Sequence, residues 1–265
     1  MINSFKDKVI WITGASSGIG EAMTYAFADQ DAYLVISSRK ENELQRVKAN
    51  CKAPERIKII PCDVAQFDTI PAVAEQAIAF QGHLDILVNN AGISQRARAA
   101  ETIFEVDQKI MNVNYLGTVA ITKAVIPHLR SRKSGQIVVI SSVLGKMGVP
   151  FRSAYCASKH ALHGFFDALR AELYQDNIDV TTICPGYVKT NVTINALTGD
   201  GSPNNEMAAS TAAGYSPEEF VKKALKAIAN KKKEAYFAKK ELAGVYLNRF
   251  VPLVFFRMMR KFKLS

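Results

Sequence analysis

Long apolar stretches are missing from this sequence. No run of about 18 consecutive apolar residues occurs without a charge, and a helix that spans a membrane needs about that length. The opening residues, MINSFKDKVIWITG, also lack the basic region and long apolar run of a secretion signal. We therefore expect neither a spanning helix nor export, and we predict a cytoplasmic location.

Cysteine is also scarce, with four residues in a chain of 265. The four show no close metal-type spacing and lie in apolar or helical contexts. We therefore predict reduced thiols that pack in the interior, and no metal site. They are Cys51, Cys62, Cys156 and Cys184.

Acidic residues are few at the C-terminal end. Residues 231–265 contain ten Lys or Arg and two Glu, so this segment carries +8 of the formal net charge of +10. The rest of the chain is nearly balanced. A charge confined to one end favours a local contact there over a DNA-binding face, and we expect no nucleic-acid partner.

Apolar runs of strand length alternate with helical patterns along the chain. Its 265 residues, 48% of them hydrophobic, suffice for one large domain with a sizeable core. The alternation predicts a single-domain, Rossmann-like α/β fold, a doubly wound parallel sheet of about seven strands with helices on both faces. Strands are predicted at 8–13, 32–37, 57–61, 84–89, 136–142, 179–184 and 234–238, and the main helices at 19–30, 69–81, 102–129 and 152–174.

Two segments interrupt this alternation. Residues 191–215, rich in Thr, Ala, Gly, Ser and Asn, follow the sixth predicted strand. We predict a mobile substrate loop there, beside the strand ends where open α/β sheets bind ligands, and the alternative is a solvated insertion without a role. Residues 241–265 form a basic, apolar C-terminal segment beyond the domain that we assign to 1–240.

A glycine-rich turn, TGASSGIG, joins the first predicted strand to a helix. Gly14 permits a tight turn, Gly18 permits close approach of a pyrophosphate, and Gly20 lets the helix pack on the sheet. The strand before the turn and the helix after it favour a dinucleotide site over a purely structural turn. The intervening Ser16, Ser17 and Ile19 belong to the same predicted site.

No acidic residue ends the second predicted strand, where a binder of NAD would place one about 20 residues past the glycines. The sequence there is VISSRK, and Ser37, Ser38 and Arg39, followed by a lysine, offer donors and positive charge. A guanidinium binds a 2′-phosphate in bidentate fashion, so NADP(H) is predicted in preference to NAD(H). The alternative is that Arg39 is a solvated turn residue.

Tyr155 and Lys159 are four residues apart in YCASK, within a segment of helical character, and therefore share one helix face. A tyrosine with a pKa of about 10 is a poor acid or base at neutral pH, whereas a nearby ammonium stabilises the phenolate and lowers that pKa. This spacing alone is more typical of a packed ring beside a surface charge. The surrounding motifs therefore decide its meaning.

Several further motifs accompany these two along the chain. Together they resemble the short-chain dehydrogenase/reductase family over residues 6–238, and within it the dehydrogenase/reductase group that includes member 7-like and 11β-hydroxysteroid-dehydrogenase-like proteins. The motifs are TGASSGIG, CDV at 62–64, NNAG at 89–92, Asn114 in MNVNYLG, ISS ending at Ser142, YCASK, and PGYVKT at 185–190.

The resemblance implies an oxidoreductase that moves hydride between a nicotinamide ring and a carbonyl or secondary alcohol. Tyr155 would exchange a proton with the substrate oxygen, and Ser142 would hydrogen-bond that oxygen. Lys159 would bond the nicotinamide ribose and tune Tyr155, and Asn114 would hold a water that links Lys159 to solvent. The alternatives are a non-catalytic NADP(H)-binding sensor, against which the intact tetrad argues, and a membrane-surface scaffold.

The same resemblance implies further cofactor contacts and self-association. Asp63 would contact the adenine, and Asn90 and Gly92 would lie near the adenosine ribose. Family members commonly form dimers or tetramers, so a homodimer or homotetramer is expected. The other implied cofactor positions are Val64 and Ala91, together with Pro185, Val188 and Thr190 around the nicotinamide and pyrophosphate.

The substrate side offers both charge and apolar surface. Arg96 and Arg98 follow NNAG and could meet an anionic substrate, but a charge pair in a loop is usually solvated, and we favour that interpretation. An apolar wall is also predicted, which would suit a lipid-, steroid- or ketone-like substrate, with core packing as the competing explanation. Its residues are Leu144, Met147, Val149 and Phe151.

The C-terminal segment interleaves large apolar residues with basic ones. Its uncharged run, 250–256, is too short to span a membrane, and Pro252 bends or starts a helix. The segment suits a peripheral contact with an anionic membrane surface, and a subunit contact or a flap over the substrate pocket are the alternatives. Its basic residues are Arg249, Arg257, Arg260, Lys261 and Lys263.

Overall fold

The computed structural model describes residues 4–261, and the predicted basic residue Lys263 lies outside that range. The strands are β1 (Val9–Thr13), β2 (Tyr33–Ser37), β3 (Ile57–Ile59), β4 (Ile86–Asn89), β5 (Gly135–Ile140), β6 (Ile178–Pro185) and β7 (Glu234–Phe237). Within the described residues they form one seven-stranded parallel sheet in the order β3-β2-β1-β4-β5-β6-β7.

Helices cover both faces of this sheet, which confirms the predicted doubly wound architecture. They are α1 (Gly18–Ala28), α2 (Glu41–Ala49), α3 (Ile70–Ala79), α4 (Phe104–Met111), α5 (Gly117–Arg132), α6 (Ser153–Glu172), α7 (Ala209–Ala212), α8 (Pro217–Ala229), α9 (Glu241–Phe250) and α10 (Pro252–Met259).

The core lies in two layers on opposite sides of the sheet, because a parallel sheet buries both of its faces. In β1, Ile10 and Ile12 belong to the layer that includes residues of α1, α2 and α8. Val9 and Trp11 alternate with them and belong to the layer that includes residues of α3, α5 and α6. All five residues of β1 are buried. This is why the strands appear in the sequence as continuous apolar runs.

The strand order reverses direction between β1 and β4. From β1 the chain builds outward through β2 and β3, and from β4 it builds the other way through β5, β6 and β7. Open α/β sheets bind ligands in the crevice at such a reversal, outside the carboxyl ends of the strands. The predicted motifs follow those carboxyl ends.

Two of the differences from the predicted main helices have a clear local cause. The helix predicted at 102–129 is interrupted by a π-helical turn, Asn112–Leu116, which a search for a 3.6-residue period does not detect. Helix α8 was not among the main predicted helices, although its capping box is visible in the sequence SPEE. Ser216 Oγ accepts from Glu219 N at 3.1 Å, and Ser216 N donates back to Glu219 Oε2 at 3.2 Å.

The segment predicted as a mobile loop, 191–215, is fastened to the segment that follows β4. Leu197 N donates to Ser94 O at 2.8 Å, and Arg96 N donates to Leu197 O at 2.8 Å. Ala196 is fully buried. The segment also lines the predicted substrate side through Thr193 and Thr211, while its mobility stays a prediction.

The C-terminal helices pack against the segment that follows β5. Val245 of α9 and Phe255 of α10 share a small buried cluster with Met147, and Asn248 Nδ2 donates to Lys146 O at 2.9 Å. Residues 241–261 are thus in contact with the predicted domain. Among the helices of residues 4–261, none combines the length and the apolar character needed to cross a membrane.

Candidate active site

The glycine turn leaves β1 at Thr13 and enters α1 at Gly18. Gly14 and Gly18 have φ values of +66° and +58°, which L side chains rarely adopt. A Cβ atom at position 14 would also lie 2.7 Å from the Cα of Ala91. The first N–H groups of α1 lie at this turn. Ser17 is the N-cap residue of α1, and its side chain accepts no hydrogen bond from them. A helix end of this kind is suited to a phosphate.

The NNAG motif after β4 holds the glycine turn in place. Asn90 Nδ2 donates to the carbonyl oxygens of Thr13 at 3.0 Å and Gly14 at 3.1 Å. The backbone N–H groups of Asn90 and Ala91 both donate to Thr13 Oγ1 at 3.1 Å. A side chain at Gly20 would collide with the Gly14 carbonyl oxygen and with Asn90 Nδ2. The Asn90 side-chain amide therefore holds the backbone of the turn, and the absence of a side chain at Gly20 lets α1 pack against that backbone.

Two residues of the neighbouring motifs make structural contacts. The Val64 side chain is buried in the core, and a side chain at Gly117 would collide with the Val64 carbonyl oxygen, so α5 packs directly on this backbone. Asn89 Nδ2 donates to Thr122 Oγ1 of α5 at 2.9 Å. Both contacts join α5 to the strand ends beside the predicted cofactor site.

Arg39 and Asp63 meet beyond the ends of β2 and β3. Arg39 Nη1 lies 4.0 Å from Asp63 Oδ2, and the arginine side chain is 57% exposed. Asp63 Oδ1 accepts from Ala65 N at 3.0 Å, and Ser38 Oγ accepts from Lys40 N at 3.1 Å. This end of the cleft thus presents a cation beside an oriented carboxylate and a hydroxyl, a group of side chains suited to a ribose phosphate and an adenine.

Ser37 does not belong to this group. Its side chain is almost fully buried, and its Oγ accepts from Trp11 Nε1 at 2.9 Å. Val35 pairs with Trp11 on the neighbouring strand, and Ser37, two residues after Val35, points to the same buried face of the sheet. The prediction that Ser37 offers a donor to a phosphate is therefore wrong.

The segment after β6 extends from Ser142 to the glycine turn. The Thr190 methyl group lies 3.1 Å from the position that a Cβ would occupy at Gly18. At the other end of the segment, Pro185 O accepts from Ser142 Oγ at 3.5 Å. Val188 between them is buried in the core and anchors the segment.

Tyr155 and Lys159 lie on one face of α6 at the carboxyl end of β5. Lys159 Nζ is 5.7 Å from the centroid of the Tyr155 ring and donates to Ile140 O at 2.9 Å. A Cβ atom at Gly92 would lie 3.3 Å from Asn114 Oδ1 and 3.7 Å from Lys159 Nζ. Gly92 therefore leaves open the corner in which the asparagine and the lysine meet.

Burial sets the ionisation of this pair. It lowers the pKa of Lys159 to about 8, because the ammonium loses solvation, and Cys184 acts weakly in the opposite direction. Burial also raises the pKa of Tyr155, while the charge of Arg152 and a hydrogen bond with Ser142 act to lower it. At neutral pH the tyrosine is therefore protonated and the lysine is largely charged.

Asn114 lies in the π-helical turn between α4 and α5 and is fully buried. Its Oδ1 accepts from Ile93 N at 2.8 Å, and its Nδ2 donates to Ile93 O at 2.9 Å and to Ser158 Oγ at 3.0 Å. Ser158 Oγ in turn donates to Tyr155 O at 2.8 Å. The π-helical turn therefore ties Asn114 to the turn of α6 that carries Tyr155 and Lys159.

Ser142 completes the predicted tetrad. It follows β5 in an extended conformation, and its Oγ accepts from Leu144 N at 3.1 Å at the start of a short 3₁₀ turn. Ser142 and Tyr155, the two groups that would meet a substrate oxygen, line the same cavity. All four predicted catalytic residues thus lie around one corner at the carboxyl ends of β4 and β5.

A cavity of about 280 Å³ opens beside Ser142 and Tyr155, and most of its wall is apolar. Three residues of the predicted apolar wall, Leu144, Met147 and Val149, line it. The C-terminal helices supply much of the remainder, namely Ala243, Gly244, Leu247, Phe255, Met258 and Met259.

Phe151 and the two loop arginines occupy other positions. The prediction for Phe151 is wrong, because among the described residues it is not part of the cavity wall, and its ring centroid lies 5.8 Å from the Arg98 guanidinium carbon. Arg98 Nη1 also lies 3.6 Å from Glu101 Oε1, at the surface. Arg96 is partly buried, and burial together with the charge of Arg152 lowers its pKa. Of the two loop arginines, Arg98 is mainly solvated, as the favoured interpretation predicted, and Arg96 is partly buried.

Comparison with known proteins identifies the family. A family model described as short chain dehydrogenase matches residues 8–200, which is most of the chain and includes the glycine turn and the tetrad. The chain belongs to the short-chain dehydrogenase family.

Curated members of this family resemble the chain over nearly its whole length. A "Dehydrogenase/reductase SDR family protein 7-like" from Anopheles gambiae is 44% identical over 261 residues, which is 96% of this chain and 82% of that protein. A "Dehydrogenase/reductase SDR family member 7B" from Xenopus tropicalis is 41% identical over 262 residues, 96% and 85% of the two chains. A crystal structure of a short-chain dehydrogenase from Streptomyces avermitilis superimposes with a TM-score of 0.80 at 26% identity, covering 97% of both chains.

A buried polar network lies behind the tetrad of this short-chain dehydrogenase. His163 Nε2 is 3.0 Å from Ser141 Oγ and 3.7 Å from Cys184 Sγ, and its Nδ1 is 3.2 Å from Glu234 Oε1. Lys146 Nζ lies 2.9 Å from the same carboxylate oxygen. The network therefore joins Ser141, the residue before Ser142, to β6, β7 and α6.

His163, Cys184 and Glu234 offer ligand atoms within 4.8 Å of one another. Their positions in the sequence are far apart, so cysteine spacing does not detect the group. Hydrogen bonds with His163 and Lys146 lower the pKa of Glu234 to about 2, whereas burial raises that of Cys184 far above its usual value. Metal binding needs a thiolate, which this environment disfavours. All four cysteines are free and buried, as predicted.

Sequence reasoning missed several residues of this site. Thr13 anchors the NNAG motif, Ser158 connects Asn114 to α6, and Arg152 places a charge near Tyr155. Ser158 stands next to Lys159 in the recognised YCASK motif, which was an available signal. The contribution of α9 and α10 to the cavity agrees with the alternative of a flap over the substrate pocket, which composition alone did not favour because it depends on where the end of the chain packs.

Proposed function

We propose that this short-chain dehydrogenase uses NADP(H) to interconvert a carbonyl group and a secondary alcohol in an apolar substrate. The observation that carries the proposal is the meeting of Ser142 and Tyr155, supported by Lys159, at the wall of an apolar cavity. A non-catalytic sensor would need the glycine turn but neither the tyrosine nor the lysine.

The residues of the cleft fit a dinucleotide chemically. The glycine turn keeps side chains away from the start of α1, and Thr190 lies beside Gly18 where a pyrophosphate would be held. Arg39 offers a guanidinium to a 2′-phosphate, and Asp63 offers a carboxylate to an adenine amine. When bound, NADP(H) supplies or accepts the hydride.

In the direction of reduction, Tyr155 donates its phenolic proton to the substrate oxygen, and Ser142 donates a hydrogen bond to the same oxygen. The Lys159 ammonium then stabilises the phenolate that remains. Asn114, held rigidly in the π-helical turn, would hold the water that returns a proton through Lys159. In oxidation the same groups act in reverse.

The apolar character of the cavity supports a hydrophobic substrate, of lipid, steroid or ketone type. Its wall is formed largely by aliphatic, methionine and phenylalanine side chains, which bind hydrocarbon by excluding water. The polar groups that would orient a reacting carbonyl are at Ser142 and Tyr155.

Replacing Arg39 by alanine is expected to weaken NADPH binding by about 10- to 100-fold, the value of a charge-assisted bidentate contact with a phosphate. NADH has no 2′-phosphate, so its affinity should change by less than about threefold. Titration of each cofactor into the purified protein, followed by nicotinamide fluorescence, measures both.

Arg98→Ala is the matched control for that prediction. Arg98 is similarly exposed, at 67% against 57%, and likewise has one carboxylate neighbour. The control should leave both affinities unchanged. Equal losses for NADPH and NADH in Arg39→Ala would contradict the proposed preference for NADP(H), and binding of neither cofactor by the unaltered protein would contradict the oxidoreductase assignment.

The reductase activity, as kcat/KM, is expected to fall as pH rises through about 8, the pKa of buried Lys159. The sign follows from the lysine charge, which is present below this pKa and lost above it. Tyr155 keeps its own proton to higher pH because burial raises its pKa. NADPH consumption measured across the alkaline range gives the profile. A profile that stays level well above this pKa would contradict the role of Lys159.

We also propose self-association, as a homodimer or homotetramer, and a cytoplasmic location. Exposed apolar side chains at Ile103, Phe104 and Leu116, on and beside α4 and the start of α5, support a subunit contact. Light scattering of the purified chain tests the oligomeric state.

A further inference from the structure

Exposed apolar side chains concentrate on the two C-terminal helices, α9 and α10. Fourteen large hydrophobic residues of the described chain are exposed, and seven of them lie between positions 246 and 258. Single exposed apolar residues are normal on a protein surface, but such a concentration marks an interaction face. This C-terminal face consists of Tyr246, Phe250, Val251, Leu253, Val254, Phe256 and Met258.

Basic residues accompany the C-terminal face, and acidic residues do not. From 242 to 261 the chain has four Arg or Lys and no Asp or Glu. The rings of Tyr246 and Phe250 stack on α9 with centroids 6.4 Å apart. Aromatic and aliphatic side chains mixed with cations are typical of helices that lie in the interface of an anionic bilayer. The four basic residues are Arg249, Arg257, Arg260 and Lys261.

Helix α10 contributes to two surfaces, since one of its sides lines the cavity and the opposite side belongs to the C-terminal face. Phe255 is 2% exposed and, with Met259 one turn later, lines the cavity. On the opposite side Leu253 is 72% exposed, and Arg257 follows it one turn later. Met258 is both exposed and part of the cavity wall, so it connects the two surfaces.

From this arrangement we propose that the C-terminal face lies in an anionic membrane surface and that the cavity receives its apolar substrate from the bilayer. The inference rests on the proposed function, since it assigns the source of that function's substrate. Leu253 and Phe256 enter the boundary between head groups and acyl chains, while Arg257 and Arg260 contact lipid phosphates. A displacement of α10 then opens the cavity toward the lipid.

A second copy of the chain fits this face less well than a membrane does. In a two-fold contact the same surface meets itself, so the four cations of one copy would approach the four of the other. The segment 242–261 contains no carboxylate that would compensate them. Anionic head groups provide that compensation.

The test is flotation of the full chain with vesicles of phosphatidylcholine alone or mixed with phosphatidylserine. The unaltered chain is expected to float with the mixed vesicles and far less with the neutral ones. The double variant Leu253→Glu, Phe256→Glu should lose at least about tenfold of this binding, because its carboxylates oppose both acyl burial and anionic lipid. Tyr174→Glu, which alters an 81% exposed aromatic outside the C-terminal face, should float normally.

A kinetic readout accompanies flotation. With a hydrophobic ketone dissolved in mixed vesicles, the double variant should be at least about tenfold slower than the unaltered chain, because it no longer binds the vesicles. With a water-soluble ketone, the two proteins should have the same rate. The inference is overturned by an unaltered chain that does not float, by equal flotation of the double variant, or by a dimer that the double variant converts to a monomer.

NADPH titration separates this inference from the proposed function. A chain that binds NADPH and does not float contradicts the membrane contact alone. A chain that floats and binds no NADPH contradicts the oxidoreductase assignment and leaves the membrane contact standing without its substrate role.

Discussion

Replacing Tyr155 by phenylalanine is expected to lower kcat by about 10³-fold or more, with NADPH affinity changed by less than about threefold. The substitution removes the only atom of the side chain that carries the transferred proton and keeps the ring beside Lys159. Ser142 can still hydrogen-bond the substrate oxygen, so the rate that remains reports this contact without the proton transfer from position 155. Steady-state kinetics with a hydrophobic ketone and NADPH, together with cofactor titration, measure the two effects.

Tyr187→Phe is the matched control, because Tyr187 also lines the cavity. It removes a hydroxyl from the same pocket and should change kcat by less than about tenfold, since that hydroxyl transfers no proton. If Tyr155→Phe kept activity within about tenfold of the unaltered chain, a different acid would have to supply the proton, and the proposed chemistry would be wrong.

Gly20→Ala is expected to weaken NADPH binding by about tenfold or more and to lower the free energy of unfolding by about 1–3 kcal/mol, the usual cost of overpacking. The new methyl group would collide with the Gly14 carbonyl oxygen and with Asn90 Nδ2. Backbone cannot move aside as a flexible side chain can, so either α1 or the glycine turn must shift. Both changes displace the N–H groups that would hold the pyrophosphate.

Gly164→Ala provides the contrast, since it makes the same substitution within a helix. A Cβ atom at position 164 on α6 would meet nothing within 4 Å. This variant should raise the free energy of unfolding by about 0.5–1 kcal/mol, because alanine favours helix over glycine, and it should bind NADPH normally. Urea unfolding and cofactor titration of both variants test the prediction. A Gly20→Ala variant as stable and as competent as Gly164→Ala would contradict the packing described for the turn.

Local patterns in the sequence determined the architecture, and the motifs that resemble the family located most of the candidate site. Continuous apolar runs predict buried parallel strands, and the motifs at their ends predict the crevice, because parallel strands present their carboxyl ends at one edge. Tyr155 and Lys159 were predictable as a pair, since a separation of four residues places both on one face of α6. These signals depend on neighbours in the chain and need no knowledge of the tertiary packing.

The tertiary structure alone decided which side chains meet when they are distant in sequence. The hydroxyl of Ser37 is used by Trp11 on the neighbouring strand, and the π-helical turn that orients Asn114 has no 3.6-residue pattern. The network around His163 assembles from residues that are far apart in the chain. Likewise, composition marked the C-terminal segment as basic and apolar, but only its packing on Met147 makes it a wall of the cavity. The physical reason is that the hydrophobic effect is non-directional. The sequence of an apolar segment therefore does not specify its partners, which depend on the shape of the folded surface against which it packs.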